Sequence, residues 1–145
     1  QKDEIVWQLR GIFSQLRNNR ARFIGSFDRS ACELQLFAHF FGHYGPYLSE
    51  DAFNKGMITA LKNQIDGWRG NRTFNSIRAL KDHDIVMTHG NLHPRSIIVD
   101  GTRVVAILDC SVSGYYPEYW DWATAVFNVQ ATTSWGKQGS INRIM

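Results

Sequence analysis

The sequence predicts an α+β fold that is mainly helical, with a small group of strands in its second half. From Asp3 to about Arg17, apolar residues recur every three or four positions, which is typical of a helix with one buried face. After Asp84 this period gives way to short runs rich in β-branched residues, which indicate strands. The chain of 145 residues has the length of one ordinary domain, and we predict a single domain over residues 1–145.

Two further helices are predicted in the first half of the chain, and one in the second. Ser49 is a good N-cap, and the acidic residues that follow it suit a first turn. The apolar face of that helix consists of Phe53, Met57, Ile58, Leu61 and Ile65. A shorter helix is predicted near Phe74–Leu80. Pro117 suits the first turn of a helix that continues past Trp120.

Three short strands are predicted after residue 84. They cover residues 85–87, 96–99 and 103–108, where apolar and β-branched residues are concentrated. Asp100 and Gly101 separate the second strand from the third, and both tolerate the positive φ of a tight turn. The second and third strands are therefore predicted to form a hairpin.

The segment 18–30 has no helical or strand period and predicts a long loop. Its apolar anchors are Phe23, Ile24 and Phe27. The tightest basic group of the chain lies at and before this loop and consists of Arg10, Arg17, Arg20 and Arg22. Such a group is more often a solvated face than a phosphate-binding surface.

Charge and composition limit the classes of partner and the cellular location that we expect. The 16 basic and 13 acidic residues form no long run of one sign, so we expect no nucleic-acid partner. No apolar run reaches the roughly 18 residues that would span a bilayer, so we expect no membrane partner. The two cysteines, Cys32 and Cys110, form no disulfide framework, which favours a reducing, cytoplasmic location.

One segment is specific enough to indicate chemistry. Residues 89–96 read His-Gly-Asn-Leu-His-Pro-Arg-Ser and lie between two predicted strands, and the hairpin that follows ends in Leu108-Asp109. This order resembles the aminoglycoside phosphotransferase family, whose loop reads His-Gly-Asp-Leu-His-Pro-x-Asn and whose metal-binding aspartate closes the next hairpin. Residues 114–121, Gly-Tyr-Tyr-Pro-Glu-Tyr-Trp-Asp, resemble a stretch seen in fungal members.

The resemblance implies the C-terminal lobe of a protein-kinase-like fold, with the small hairpin carrying the site. In that family a further, N-terminal lobe holds the nucleotide, and the resemblance does not extend to it, so we expect the chain to be the C-terminal lobe alone. A lone lobe exposes the apolar surface that normally faces its partner lobe, which favours self-association into a homo-oligomer.

The chain departs from the family pattern at two site positions. Asn91 aligns with the catalytic aspartate, and a neutral amide cannot accept the hydroxyl proton, a role worth ~10²–10⁴-fold in rate. Ser96 aligns with a metal-binding asparagine and is a poorer ligand for a hard cation. Only Asp109 matches. We therefore expect no nucleotide cofactor, no bound metal and no phosphate transfer from ATP.

The candidate catalytic residues are His89, Asn91, His93 and Asp109. The histidines and the carboxylate can move protons near neutral pH, and the Asn91 amide can orient a hydroxyl. A histidine that begins such a loop commonly has a structural role instead, and this remains open for His89. His39 and His43 lack the spacing of a zinc motif and are expected to be neighbours in an aromatic cluster.

The residue after Asp109 is usually tryptophan in the resembled family, whereas this chain has Cys110. The smaller side chain predicts space for an apolar ligand, unless a nearby tyrosine fills it. Cys110 itself is either a nucleophile or an inert small hydrophobe. The candidate substrate-binding residues are Ser96, Cys110, Ser111, Tyr115 and Tyr116.

Three functions remain in competition at this point. The favoured one is an enzyme that binds a small, largely apolar metabolite and catalyses nucleotide-independent cyclisation, isomerisation or elimination in biosynthesis. The second is a fragment of a small-molecule phosphotransferase. The third is a pseudokinase-like module that binds a ligand without turnover. Fold alone does not choose among them.

Overall fold

The structure, a computed structural model, describes residues 1–34, 37, 44–62, 67–128, 135 and 138–145, without the side chains of residues 68 and 69. The helices over this range are α1 (Lys2–Arg17), α2 (Glu50–Leu61), α3 (Gly67–Ala79), α4 (Trp120–Asn128) and α5 (Ser140–Ile144). The strands are β1 (Gly25–Ser26), β2 (Ile85–Thr88), β3 (Ile97–Asp100), β4 (Arg103–Ile107) and β5 (Gly114–Pro117), and a 3₁₀ turn covers Pro94–Ser96. The fold is α+β, as the sequence predicted.

The first hydrophobic core lies where α1, α4 and α5 meet. Helix α1 contributes the stripe Val6, Leu9 and Phe13, spaced three and four residues apart, so these side chains share one helical face. Leu92 joins them from the loop after β2 and is almost fully buried. The loop is therefore anchored in this core by its own leucine.

The second core is formed by α2 with the loop before it and with β5. Its members include Ile24, Phe53, Met57 and Tyr116. Ser49 caps α2, because its hydroxyl accepts a hydrogen bond from the backbone N–H of Ala52 at 3.2 Å. None of the helices in the described residues is both long and apolar enough to cross a membrane.

Two small antiparallel sheets connect the cores. In the first, the strand order is β1-β5-β2, so β5 is central. The second is the predicted β3–β4 hairpin, whose register pairs Asp100 with Arg103 across the turn. Gly101 in that turn has a φ of 61°, the left-handed conformation that the Asp-Gly pair predicts.

Several elements differ from the sequence prediction. Helix α3 begins at Gly67 rather than near Phe74, because packing against α2 outweighs the low helix propensity of its glycine-containing first turns. Pro117 ends β5, opposite Ile85 and beyond the reach of β1, and the helix starts only at Trp120. A proline fits there because no β1 carbonyl needs its missing N–H group.

The predicted loop 18–30 contains a strand and has one anchor that is not buried. Gly25–Ser26 pairs with β5, which the glycine and serine composition did not indicate. Ile24 is fully buried as expected, whereas Phe27 is 46% exposed and packs edge-on against Tyr115, with ring centroids 5.5 Å apart. Phe27 is therefore a surface residue rather than a core anchor.

The two cysteines are predicted to differ in reactivity. Cys32 is buried, and burial raises the pKa of its thiol to about 12, so little thiolate forms near neutral pH, whereas Cys110 is exposed. Titration with Ellman's reagent at about pH 8 should detect one fast thiol in the folded protein and both thiols after denaturation. The Cys110→Ser variant should lose the fast phase. Equal rates for the two thiols in the folded protein would contradict the burial of Cys32.

Candidate functional site

The loop after β2 is held by a buried carboxylate. Asp121, in the first turn of α4, accepts hydrogen bonds from the backbone N–H of Gly90 at 2.7 Å and of His89 at 3.4 Å. Burial raises the pKa of the Asp121 carboxyl, and the two backbone donors act in the opposite direction. This contact fixes the first residues of the candidate site to α4.

Glycine is required at position 90. Its φ is 79°, and a Cβ atom there would lie 2.9 Å from the carbonyl oxygen of Val112. Any side chain would have to move the backbone that follows Asp109. The loop and the segment after β4 are thus in direct backbone contact.

His89 connects the loop to the hairpin rather than facing solvent. Its Nδ1 accepts from the backbone N–H of Asn91 at 3.3 Å, so the neutral ring carries its proton on Nε2, which lies 3.0 Å from the carbonyl oxygen of Leu108. The ring is buried and packs edge-on against Phe13. Both ring nitrogens have hydrogen-bond partners, so the contacts of His89 fit the structural one of its two predicted roles.

Asn91 and Asp109 lie together at the centre of the site. The Asn91 Nδ2 group donates to Asp109 Oδ2 at 2.6 Å, and Asn91 Oδ1 accepts from Asn128 Nδ2 at 3.0 Å. The other carboxylate oxygen, Asp109 Oδ1, accepts from the Ser111 hydroxyl at 2.8 Å. Four side chains therefore form one continuous polar chain that runs from the end of α4 to the segment after β4.

The backbone of Asp109 is in an uncommon conformation. Its φ is 67°, in the left-handed region that non-glycine residues rarely adopt, although aspartate tolerates it better than most. Residues held in such conformations are concentrated at functional sites, where the surrounding structure maintains them. Asp109 thus combines an uncommon backbone conformation with a carboxylate that accepts from both Asn91 and Ser111.

His93 and Ser96 bond to one another instead of to Asp109. The Ser96 hydroxyl donates to the His93 carbonyl at 2.8 Å and accepts from the His93 N–H at 3.2 Å. His93 Nδ1 accepts from the backbone N–H of Arg95 at 3.1 Å. Ser96 is buried in this cap of the 3₁₀ turn, so its hydroxyl is engaged with the backbone of His93. Burial, and then the nearby Arg95, lowers the pKa of His93.

The expected substrate-binding tyrosines lie on opposite faces of β5. Tyr116 is fully buried in the second core, so it cannot contact a ligand as predicted. Tyr115 is half-buried and contacts Phe23 and Phe27 edge-on. Successive residues of a strand point to opposite faces, which explains the separation.

Two cavities adjoin the site and share Phe27 as a wall. One, of about 330 Å³, lies between α1 and β4, and its lining includes Met87, His89 and Cys110. The other, of about 690 Å³, is lined on one side by Tyr115. Cys110 and Tyr115, both predicted to bind substrate, therefore line different cavities, Cys110 the smaller one and Tyr115 the larger one.

Two residues of this site were not predicted from the sequence to act in it. Asp121 closes the stretch that resembles fungal family members, and that position was the available signal. Asn128 had no sequence signal, because its contact with Asn91 depends on where α4 ends. His39 and His43 lie outside the described residues. Within the described part of the chain, no three His, Cys, Asp or Glu side chains are placed to hold a metal ion together.

A family model matches most of the chain. The model of the phosphotransferase enzyme family, APH, aligns with residues 22–141. The chain belongs to this family. The matched range includes β1, the loop at 89–96, the β3–β4 hairpin and α4, and it leaves α1 outside. No curated protein and no solved structure matches the chain.

Removing the Asp121 carboxylate is predicted to destabilise the fold. The Asp121→Ala variant leaves the N–H groups of His89 and Gly90 buried without acceptors, which should lower the free energy of unfolding by about 2 kcal/mol even after relief of the buried charge. Urea unfolding followed by circular dichroism measures this. Glu118→Ala is the control, because Glu118 is exposed on the same segment. Equal stability of the two variants would show that Asp121 does not hold the loop.

Proposed function

We propose that this phosphotransferase-family protein does not transfer phosphate from ATP, and that it binds a small, largely apolar ligand on which Asp109 performs nucleotide-independent acid–base chemistry. The observation that carries the proposal is the 2.6 Å hydrogen bond from the Asn91 amide to the Asp109 carboxylate. Three further features support it: the absence of a base at position 91, the poor set of metal ligands, and the apolar cavity beside Cys110.

Position 91 lacks a proton acceptor of the required strength. In the pattern that the loop resembles, an aspartate stands there and takes the proton of the attacking hydroxyl. Asn91 directs its NH₂ group at Asp109 and its carbonyl oxygen at Asn128, so the amide is already committed at both ends. It can orient a neighbouring group, but it cannot accept a proton from a hydroxyl.

The side chains at the site also fit a magnesium ion poorly. Magnesium requires oxygen ligands arranged close to an octahedron. Beside Asp109, the nearest group is an N–H donor from Asn91, which carries partial positive charge, and the second carboxylate oxygen is engaged by Ser111. Ser96, at the third position of the pattern, is buried in its own cap. No step of the proposed chemistry therefore passes through a metal ion or a nucleotide.

The smaller of the two cavities supports an apolar ligand. Its volume of about 330 Å³ is in the lower range for small-molecule sites, and its walls are mostly aliphatic or aromatic. Cys110 lines it and directly follows Asp109 in the chain, although Asp109 is not among the described lining residues. We propose that a ligand whose apolar body fills this cavity extends past Cys110 toward the Asp109 carboxylate.

In this arrangement the side chains take separate roles. Asp109 accepts a proton from the ligand or returns one, and Asn91 orients the carboxylate through its amide. His93 is a donor rather than a base, because its Nδ1 accepts from Arg95 and its neutral ring therefore carries the proton on Nε2. Isomerisation moves a proton within the ligand, and elimination removes a proton while the ligand releases a leaving group that is protonated in turn. An intramolecular cyclisation joins two ligand atoms as one loses a proton and the other gains one, so none of the three needs a co-substrate.

A charge substitution at position 91 tests the metal argument. Asn91→Asp places two carboxylates in contact. Their repulsion should lower the free energy of unfolding by roughly 1 kcal/mol, and the variant should therefore unfold at a lower temperature than the wild type. Added Mg²⁺ should raise the melting temperature of Asn91→Asp and leave the wild type unchanged. Asn71→Asp, on an exposed face of α3, is the matched control and should not respond to Mg²⁺.

Three results, from melting with Mg²⁺, from calorimetry with Mg-ATP and from turnover assays, separate the competing functions. Stabilisation of the wild type by Mg²⁺ to the same extent as the variant would show that the native site still holds the ion. Micromolar binding of Mg-ATP by the wild-type chain in calorimetry would favour the phosphotransferase over the proposed enzyme. A metabolite that binds without turnover would favour the binding module.

Filling the smaller cavity is predicted to block apolar ligands. Indole serves as a neutral planar probe, and amide chemical shifts in β2 and β4 report its binding. Cys110→Ser should bind indole like the wild type, whereas Cys110→Trp should weaken binding at least ~10-fold, because the larger ring occupies the cavity. Circular dichroism checks that both variants fold. Equal binding by the serine and tryptophan variants would place the apolar site elsewhere.

A further inference from the structure

We propose a second binding site, for a small planar anion, in the larger cavity. We call it the arginine cavity; its volume is about 690 Å³, and its principal walls are Arg20, Arg22, Phe23, Phe27, Arg29 and Tyr115. Asn91 and Asp109 are not among the described residues that line it, so the inference stands independently of the proposed function. Charge, ring geometry and backbone anchoring each support it.

The charge around the arginine cavity is one-sided. Three guanidinium groups line it, and none of the described lining residues is acidic. Arg20 forms an ion pair with Asp84 at 2.8 Å, whereas Arg22 and Arg29 form no ion pair with a described residue. The guanidinium group presents N–H donors in a planar fork that matches a carboxylate or a phosphate. An anionic group is therefore the complementary ligand chemistry.

The apolar walls of the cavity are aromatic rings. Tyr115 stands edge-on to Phe23 at 5.4 Å between ring centroids and to Phe27 at 5.5 Å. The Arg29 guanidinium carbon lies 5.5 Å from the centre of the Phe23 ring, so a cation and a ring already face each other. A flat apolar body can pack against these rings while its anionic group meets the guanidinium groups.

The backbone that presents the arginines is anchored at several points. Ala21 donates to the carbonyl of Ile85 at 3.0 Å, and Ile24 and Tyr47 exchange two hydrogen bonds of 2.8 Å. Gly25 pairs with Tyr115 in the sheet. A site on a fixed backbone loses less conformational entropy on binding than one on a free loop.

The arginines of the sequence group are divided between two parts of the chain. Arg20 forms an antiparallel bridge to Val86, Arg22 follows it at a bend, and both line the arginine cavity. Arg10 and Arg17 belong to α1 and do not line the cavity. The basic group seen in the sequence is thus divided, and only its second half joins Arg29.

Naphthalene derivatives test the ligand class on the full chain. The probes are 2-naphthoate, 2-naphthyl phosphate and the neutral 2-naphthamide, each titrated while amide chemical shifts are followed by NMR. We expect at least one of the two anions to bind at residues 20–29 and 115, and the amide to bind at least ~10-fold more weakly than that anion. The comparison of naphthoate with naphthyl phosphate distinguishes a carboxylate ligand from a phosphate ligand.

Matched variants then assign the binding to the arginines. Arg22→Gln combined with Arg29→Gln should weaken binding of the tighter anion about tenfold, and Arg10→Gln should leave it unchanged. Circular dichroism establishes that all variants fold. The proposal is overturned if neither anion binds at millimolar concentration, if the amide binds as tightly, if the shifts lie at other residues, or if Arg10→Gln is as damaging as the double variant.

Discussion

The buried carboxylate of Asp121 is the contact on which the candidate site depends. It ties the backbone of His89 and Gly90 to the first turn of α4, and α4 contributes to the first core through Ala125. The His89 ring in turn donates a hydrogen bond to the carbonyl oxygen of Leu108, just after β4, which links the loop to the hairpin. The position of Asp109 relative to Asn91 is thus set by a chain of hydrogen bonds that begins in the protein interior, where they are protected from water.

The same scaffold leaves the chemical groups themselves outside the cores. Asp109 and Ser111 are exposed and Asn91 is half-buried, so the bonds among them compete with water and contribute little to stability. The Asp109 carboxylate selects which end of the Asn91 amide faces it, because an ionised carboxylate only accepts and therefore pairs with the NH₂ group. The carbonyl oxygen of Asn91 is then left to accept from Asn128.

Local sequence signals predicted the parts of the fold that form through local contacts. The apolar period of α1, the Ser49 cap and the Asp-Gly turn each act within a few residues, and each feature is present in the structure. Strand β5 could not be recognised in this way, because Gly-Tyr-Tyr-Pro has no clear alternation and its partners are distant in sequence. The shortest strand, β1, exists only because β5 lies beside it.

That missed strand explains the main error in the predicted site. Tyr115 and Tyr116 were both predicted to bind substrate, whereas the two-residue period of a strand sends one to the arginine cavity and the other to the core. Asn91 and Asp109 were both named as candidate catalytic residues, and the hydrogen bond between their side chains is what the structure adds. The commitment of His93 and Ser96 to a cap depended on the 3₁₀ turn, which the short His-Pro-Arg-Ser sequence did not reveal.

The division between buried supports and more exposed groups would also allow a phosphotransferase-family fold to carry a different site. His89, Gly90 and Asp121 hold the loop from within, and replacing any of them leaves a buried polar group without a partner or forces a backbone clash. Asn91 and Ser111 meet the carboxylate at the surface, where a change of side chain alters charge and hydrogen bonding without opening a cavity in a core. Chemistry at this site can therefore change while the loop that presents it stays in place.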